Sequence, residues 1–255
     1  MPRVFSFQFD IGRVLEIVMP VNDSVVDTNE AVDILILGRG GYGNDAPDLT
    51  DSIIIAHYEP GEAPTFTTLS IPRDLMVSTT LLGRVKINEV YSSTKRFESQ
   101  EEGFKAIMAV ASEIVGREIK FYALIDFSGF KNVIDRVGGI DIEVPERLYD
   151  DSYPTANWGY TIVDIPAGLQ HFDGDKALKY ARSRHTTSDF ERSKRQQLVI
   201  QALREKLLSA NILTSPRKIE GIYNAVIDSL TTNIPLTDML KLASKARVIE
   251  KNAIY

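Results

Sequence analysis

The stretch VDILILGRGGYGNDAPDLTDSIIIAHYEPGEAPTFTTLSI, residues 32–71, decides the fold class. It opens with a short apolar run, 32–37, that ends at Gly38 and reads as a buried strand. A Gly/Asp/Pro-rich loop fills 38–51. Residues 52–58 and 64–71 then read as two strands joined by a turn at Pro60-Gly61, a hairpin. A hairpin makes its two strands antiparallel, which argues against a wholly parallel sheet.

Working outward, Phe104, Ile107, Met108, Ala111, Ile114 and Val115 recur at helical spacing across 101–116, with Gly116 as a natural stop. Residues 120–126 read as the next strand, Ser128 as the cap of a helix running to Val137, and Gly138-Gly139 as its end. IDIEV at 140–144 alternates as a half-buried strand, and 146–172 is polar, aromatic and turn-rich, suited to a small hairpin or flap. Helices are predicted from Asp173 to about Tyr180 and from Asp189 to Ser209. Ser215-Pro216 opens another and Thr237 caps a last one. Interleaved strands and helices with an antiparallel start predict an α/β fold, a three-layer α/β/α arrangement with a mixed central sheet flanked by helices. Without repeats or a low-complexity linker, the chain divides into an N-terminal lead-in, 1–30, and one domain, 31–255.

Composition narrows the chemistry. The 255 residues carry 29 basic and 35 acidic side chains, a net charge of −6, which disfavours general nucleic-acid binding. There is no cysteine, so disulfides, zinc–thiolate sites, iron–sulfur clusters and thiol nucleophiles are excluded, and three histidines make a multi-histidine metal site improbable. No apolar run approaches the roughly 18 residues of a membrane span. The first residues lack the layout of a secretory signal, so the chain as given reads as soluble, either throughout or as an excised domain.

Three constellations could carry chemistry. Gly38-Arg39-Gly40-Gly41-Tyr42-Gly43 follows a strand and fits the dinucleotide fingerprint, and Glu59 lies about 20 residues on, as that motif requires. The fingerprint also needs a crossover helix before the next strand, and Asn44 to Asp51, with Pro47 inside, leave no room for one. A glycine-rich turn is the stronger reading. Asp45, Asp48 and Asp51 crowd the entrance of the second strand and suit a hard cation such as Mg²⁺, although for an Asp triplet taken alone a solvated acidic loop is the stronger reading. Arg182, Arg184, Arg192, Lys194 and Arg195 form a basic concentration in an acidic chain. Arg182 and Arg184 would point the same way in extended backbone, and Asp189, Arg192 and Gln196 share one helix face. Guanidinium forks match phosphate oxygens, so these groups with Arg73 and a carboxylate cluster describe a phosphoryl-transfer site; a salt-bridged helix face is the alternative.

The succession ILGRGG…LTDSIII…SIPRD…KIN…DFSGFKNVIDRVGGIDIEV…GLQHFDGDKALKYARSRHTTSDFERSKRQQ, over roughly 32–208, resembles the LytR-CpsA-Psr family. The resemblance implies an α/β/α domain tethered by an N-terminal membrane helix on the extracytoplasmic face of a bacterial membrane. It implies a phosphotransferase that moves a glycopolymer (teichoic acid, capsule or arabinogalactan) from a polyprenyl pyrophosphate carrier to peptidoglycan or another acceptor hydroxyl, aided by Mg²⁺ or Mn²⁺, with pyrophosphatase as a side activity. By position, Asp51 resembles the metal-binding aspartate and Arg73 of SIPRD a pyrophosphate-contacting arginine with Asp74 in support. Lys86 is similar to the family's site lysine, and Arg182 and Arg184 to its arginine pair. Asp189, Arg192 and Gln196 match the trio on the following helix, with Asp189 the candidate base. Two departures stand out: Gly40 where many members carry a second metal-binding aspartate, and Leu49 where many carry an arginine. Asp45 or Asp48 is expected to replace the missing ligand; the helix at 101–116 has enough apolar residues to line a trough for the polyprenyl tail, with plain core packing the stronger reading for any one of them. The departures motivate one alternative, a polyprenyl-pyrophosphate-binding protein with impaired catalysis; a dinucleotide-dependent enzyme is a remote other.

Overall fold

The computed structural model describes residues 25–44, 46–155, 159–183, 189–207, 224 and 230–246. Its centre is a five-stranded sheet built from β1 (Val32–Arg39), β2 (Thr50–Glu59), β3 (Thr65–Ser70), β6 (Phe121–Asp126) and β11 (Leu230–Thr232), in the order β11-β6-β1-β2-β3. β1 runs antiparallel to β2 and parallel to β6, and β2 is antiparallel to β3. The sheet is therefore mixed, and the hairpin read from the sequence is present. β1 is almost continuously apolar because both of its faces are covered. Leu35 and Leu37 lie opposite Ile55 and Ile53 and pack on α1 (Ile87–Phe97) and α2 (Gln100–Val115) through Val90, Tyr91, Phe104 and Ile107. Val32 and Tyr58 pack with Val26, Ile234 and the partly buried Met239 and Leu242 of α6 (Leu236–Ala246).

A second core joins α3 (Phe127–Arg136), β7 (Ile140–Val144), the hairpin β8 (Leu148–Pro154)–β9 (Tyr160–Ile165), β10 (Gly168–Phe172), α4 (Gly174–Arg182) and α5 (Asp189–Leu207). β10 pairs antiparallel with β7 and β8 with β9, so the turn-rich 146–172 is indeed a hairpin, followed by a strand returning to β7. A small hairpin, β4 (Met76–Thr79) with β5 (Gly83–Lys86), connects β3 to α1.

Several expectations need correcting. Asp126, not Ser128, caps α3, its carboxylate accepting from Gly129 N at 2.8 Å. α6 begins at Leu236, so Thr237 lies inside the helix. In the 101–116 helix, Phe104, Ile107 and Ala111 are packed into the core against the sheet, the stronger of the two readings of that helix. Arg182 is the last residue of α4, so its backbone is helical and the extended alternation with Arg184 does not apply. Arg184, Asp45 and the helix expected at Ser215-Pro216 lie outside the described residues.

Candidate active site

The ends of β1 and β2 form one side of the site. Their ladder pairs Gly38 with Ser52 but Arg39 with Thr50, so Asp51 is the extra residue of a β-bulge, a device that re-aims a side chain near sheet ends. The glycine-rich loop between these strands folds back on itself: Gly41 N donates to Pro47 O at 2.9 Å, and Gly41 has φ 74°. A Cβ on Gly41 would sit 2.7 Å from Asp126 Cβ. The glycines thus serve a turn, and two antiparallel strands without a helix between them cannot present pyrophosphate as the dinucleotide fingerprint does.

Carboxylates and cations are matched on this side. Asp51 accepts from Arg73, whose Nε lies 3.6 Å from Asp74, and Lys86 Nζ donates to Asp74 at 2.7 Å. Asp48 accepts from Arg39 and, at 2.8 Å, from Lys95 Nζ. Arg73, Asp74, Lys86 and Asp51 are therefore brought together as the SIPRD and KIN motifs implied. Asp48 lies beside them but is held by two cations the sequence did not flag. Among the described residues no group of three His, Asp or Glu is close enough to hold a metal.

The opposite side is the junction of α4 and α5. Arg195 is buried, its Nε donating to Tyr180 O at 2.9 Å and its second amino group to Ser183 O. Gln196 Nε2 donates to Ala181 O at 3.4 Å. The start of α5 thus satisfies carbonyls that the end of α4 leaves open, and Arg195 adds a positive charge at the negative end of its dipole. This fixes the turn that carries Arg182. The Arg182 guanidinium lies over the Phe127 ring, 4.0 Å from its centroid, and donates from NH1 to Tyr153 Oη at 3.1 Å. Among the described residues it makes no ion pair.

A cavity of about 320 Å³ joins the two sides, lined by Asp51, Ile71, Pro72, Phe190, Arg192 and Gln196 among others. Leu69 and Phe190, 50% and 68% exposed, stand on its lining, while Arg192 is buried within it. Asp189 starts α5 beside these residues; its side chain lies outside the described set. Arg192 and Gln196 share the cavity, as one helix face demanded. Sequence reading missed Tyr153, Phe127, Arg39 and Lys95, and gave Arg195 no structural part. For Arg195 the signal was its place beside Gln196.

The sequence profile of the LytR_cpsA_psr family matches residues 12–255. The chain belongs to this family. Among curated relatives, the cell wall biosynthesis protein LcpA of Corynebacterium glutamicum is 30% identical over 208 residues, 74% of this chain and 38% of its own length. TagV of Bacillus subtilis, a polyisoprenyl-teichoic acid–peptidoglycan teichoic acid transferase, is 33% identical over 229 residues, 84% of this chain and 54% of its own. The chain spans about half or less of the length of these two relatives. The crystal structure of B. subtilis TagV superposes with a TM-score of 0.68 at 28% identity, over 89% of this chain and 83% of that one. The α/β architecture is thus that of the LytR_cpsA_psr family. No described helix is long and apolar enough to cross a membrane.

Proposed function

We propose that the chain is a phosphotransferase that moves a cell-envelope glycopolymer from a polyprenyl pyrophosphate carrier to a hydroxyl of peptidoglycan or another acceptor. The observation that carries this reading is the cavity that sets Asp51 opposite Arg192 and Gln196, with Arg182, which meets no carboxylate among the described residues, at the adjoining turn. Its walls combine apolar residues from β2 and β3 with cationic and amide groups from α5, which suits a ligand that is part lipid and part phosphate. The names of TagV and LcpA support the substrate class.

In the reaction, an acceptor hydroxyl oxygen attacks the sugar-bearing phosphorus and the P–O bond to the second phosphate breaks. The polymer-phosphate ester forms, polyprenyl phosphate leaves, and the hydroxyl proton passes to a base. Arg182, Arg184 and Arg192 bind the pyrophosphate oxygens and stabilise the charge that grows on the leaving side, with Arg73 and Lys86 on the opposite side of the site. Asp189, first in α5, takes the hydroxyl proton. A carboxylate is intrinsically a weak base, so positioning and charge stabilisation dominate the rate.

The residues present fit a divalent cation with few protein ligands. Asp51 gives only Oδ1 to Arg73 among the described contacts, and Mg²⁺ is commonly held by one or two carboxylates together with substrate phosphates and water. Asp51 would hold it; Asp48 would first have to leave Arg39 and Lys95, and Asp45 remains the other candidate. When bound, Mg²⁺ or Mn²⁺ supplies Lewis-acid charge neutralisation of the pyrophosphate. We further place the domain on the extracytoplasmic side of the membrane, where its donor and acceptor meet.

The test is metal-dependent turnover of a soluble polyprenyl pyrophosphate analogue, with hydrolysis as the simplest readout. Turnover that requires Mg²⁺ and drops about 100-fold or more in Asp51→Ala and Arg182→Ala is expected. Tight binding without turnover would favour the second reading, a polyprenyl-pyrophosphate-binding protein. Gly40 in place of a metal-binding aspartate and the engagement of Asp48 by two cations favour that outcome. Neither binding nor turnover would remove both.

A further inference from the structure

Among the described residues, Arg182 is the one arginine of the proposed site that aromatic groups hold. Its cation lies 4.0 Å from the Phe127 centroid and 5.3 Å from that of Tyr153, and its NH1 donates to Tyr153 Oη at 3.1 Å. Arg73, by contrast, is tied to the carboxylate of Asp51. The difference is chemical. A carboxylate partner cancels the positive charge, whereas a phenol and two ring faces orient the group and leave its charge intact.

Tyr153 is built into this place. β8 and β9 pair Asp150 with Val163 but Tyr153 with Thr161, so a bulge inserts one residue between them. Leu148 and Asp150 face the core, and strict alternation would send residue 153 outward; the bulge turns Tyr153 inward, where it is 6% exposed. Burial holds its phenol above the ordinary range although the Arg182 charge pulls the other way, so the hydroxyl stays neutral at physiological pH. Phe127 follows Asp126, whose capping bond fixes the first turn of α3.

We infer that Tyr153, together with Phe127, is a positioning residue that fixes the Arg182 guanidinium for the pyrophosphate of the donor. The inference rests on the phosphotransferase reading of the site and extends it, through Arg182, to the β8–β9 hairpin. An arginine side chain has extensive rotamer freedom, and ordering it before the ligand arrives removes that cost from binding.

A double-mutant cycle tests this, with inorganic pyrophosphate as the probe, affinity by calorimetry and thermal unfolding as the control. Tyr153→Phe keeps the ring and removes only the acceptor; affinity is expected to fall about tenfold with an unchanged melting temperature. Phe127→Leu is expected to cost about threefold by the same route. In an Arg182→Ala background, neither change should weaken binding further, because both act through the missing guanidinium. Equal weakening by Tyr153→Phe in both backgrounds would overturn the positioning role. So would full affinity in Tyr153→Phe when Arg182→Ala has lost it. If Arg182→Ala itself binds pyrophosphate normally, the pyrophosphate role of Arg182 fails and the inference falls with it.

Discussion

The two sides of the site handle positive charge in opposite ways. At the mouth of β1 and β2, the cations meet carboxylates: Arg39 and Lys95 converge on Asp48, Arg73 on Asp51, and Lys86 on Asp74. At the α4–α5 junction, Arg195 is spent on backbone carbonyls and Arg182 on a phenol and two aromatic rings. The first side is electrically close to balanced without a ligand. The second keeps a guanidinium that meets no carboxylate among the described residues, which is the state an anion site needs. One side is suited to meeting a cation, the other to meeting phosphate.

The sharpest way to break this comparison is within the second side, where two arginines 13 positions apart have different tasks. Arg195→Ala removes a buried cation that satisfies Tyr180 and Ser183 carbonyls. It is expected to lower unfolding stability by about 3 kcal/mol, read as an earlier urea midpoint, with activity lost alongside. Arg182→Ala removes a cation that holds no carbonyl or carboxylate among the described residues. It is expected to leave the urea midpoint nearly unchanged while kcat/KM falls about 100-fold. Similar stability losses in both variants would erase the distinction between the structural and the ligand-facing arginine.

What was legible in the sequence follows the strength of local signals. β1, the β2–β3 hairpin and α2 were visible because their apolar periods are long and end in turn residues, Gly116 taking φ 68° at the end of α2. β4, β5 and α1 were not, because 76–86 carries mixed charge and no sustained period, and α1 is buried between the next helix, α2, and the distant strands β1 and β2. For the site, Arg73, Asp51, Arg192 and Gln196 were found through motifs whose members lie close in sequence or at helical spacing. Tyr153 was not, because a bulge reverses the alternation that sequence reading relies on. Asp48 and Asp51 could not be told apart from the loop alone. Their partners, Lys95 at a separation of 47 and Arg73 at 22, come from different elements.

The smallest effect sharpens the first side. Burial tends to raise Asp48, but the bonds and charges of Lys95 and Arg39 outweigh it and hold its pKa below the ordinary carboxylate value. A folded pKa below the unfolded one means the pairing stabilises the protein above about pH 4, and that this contribution is lost as pH falls through the folded value. With the Asp48 side chain 36% exposed, solvent screening keeps the effect below about 1 kcal/mol. Asp48→Asn should therefore lose a little stability near neutrality and show a shallower decline between about pH 5 and 3 than the parent. The same variant separates two parts for Asp48, because Mg²⁺ titration in the presence of pyrophosphate reads its ligand role independently. Unchanged metal affinity with a flattened acid limb makes Asp48 a tie between the loop and α1, leaving Asp51 as the metal-facing carboxylate. Weakened metal affinity makes Lys95 and Arg39 placeholders that the cation displaces, and the first side is then balanced only until its ligand arrives.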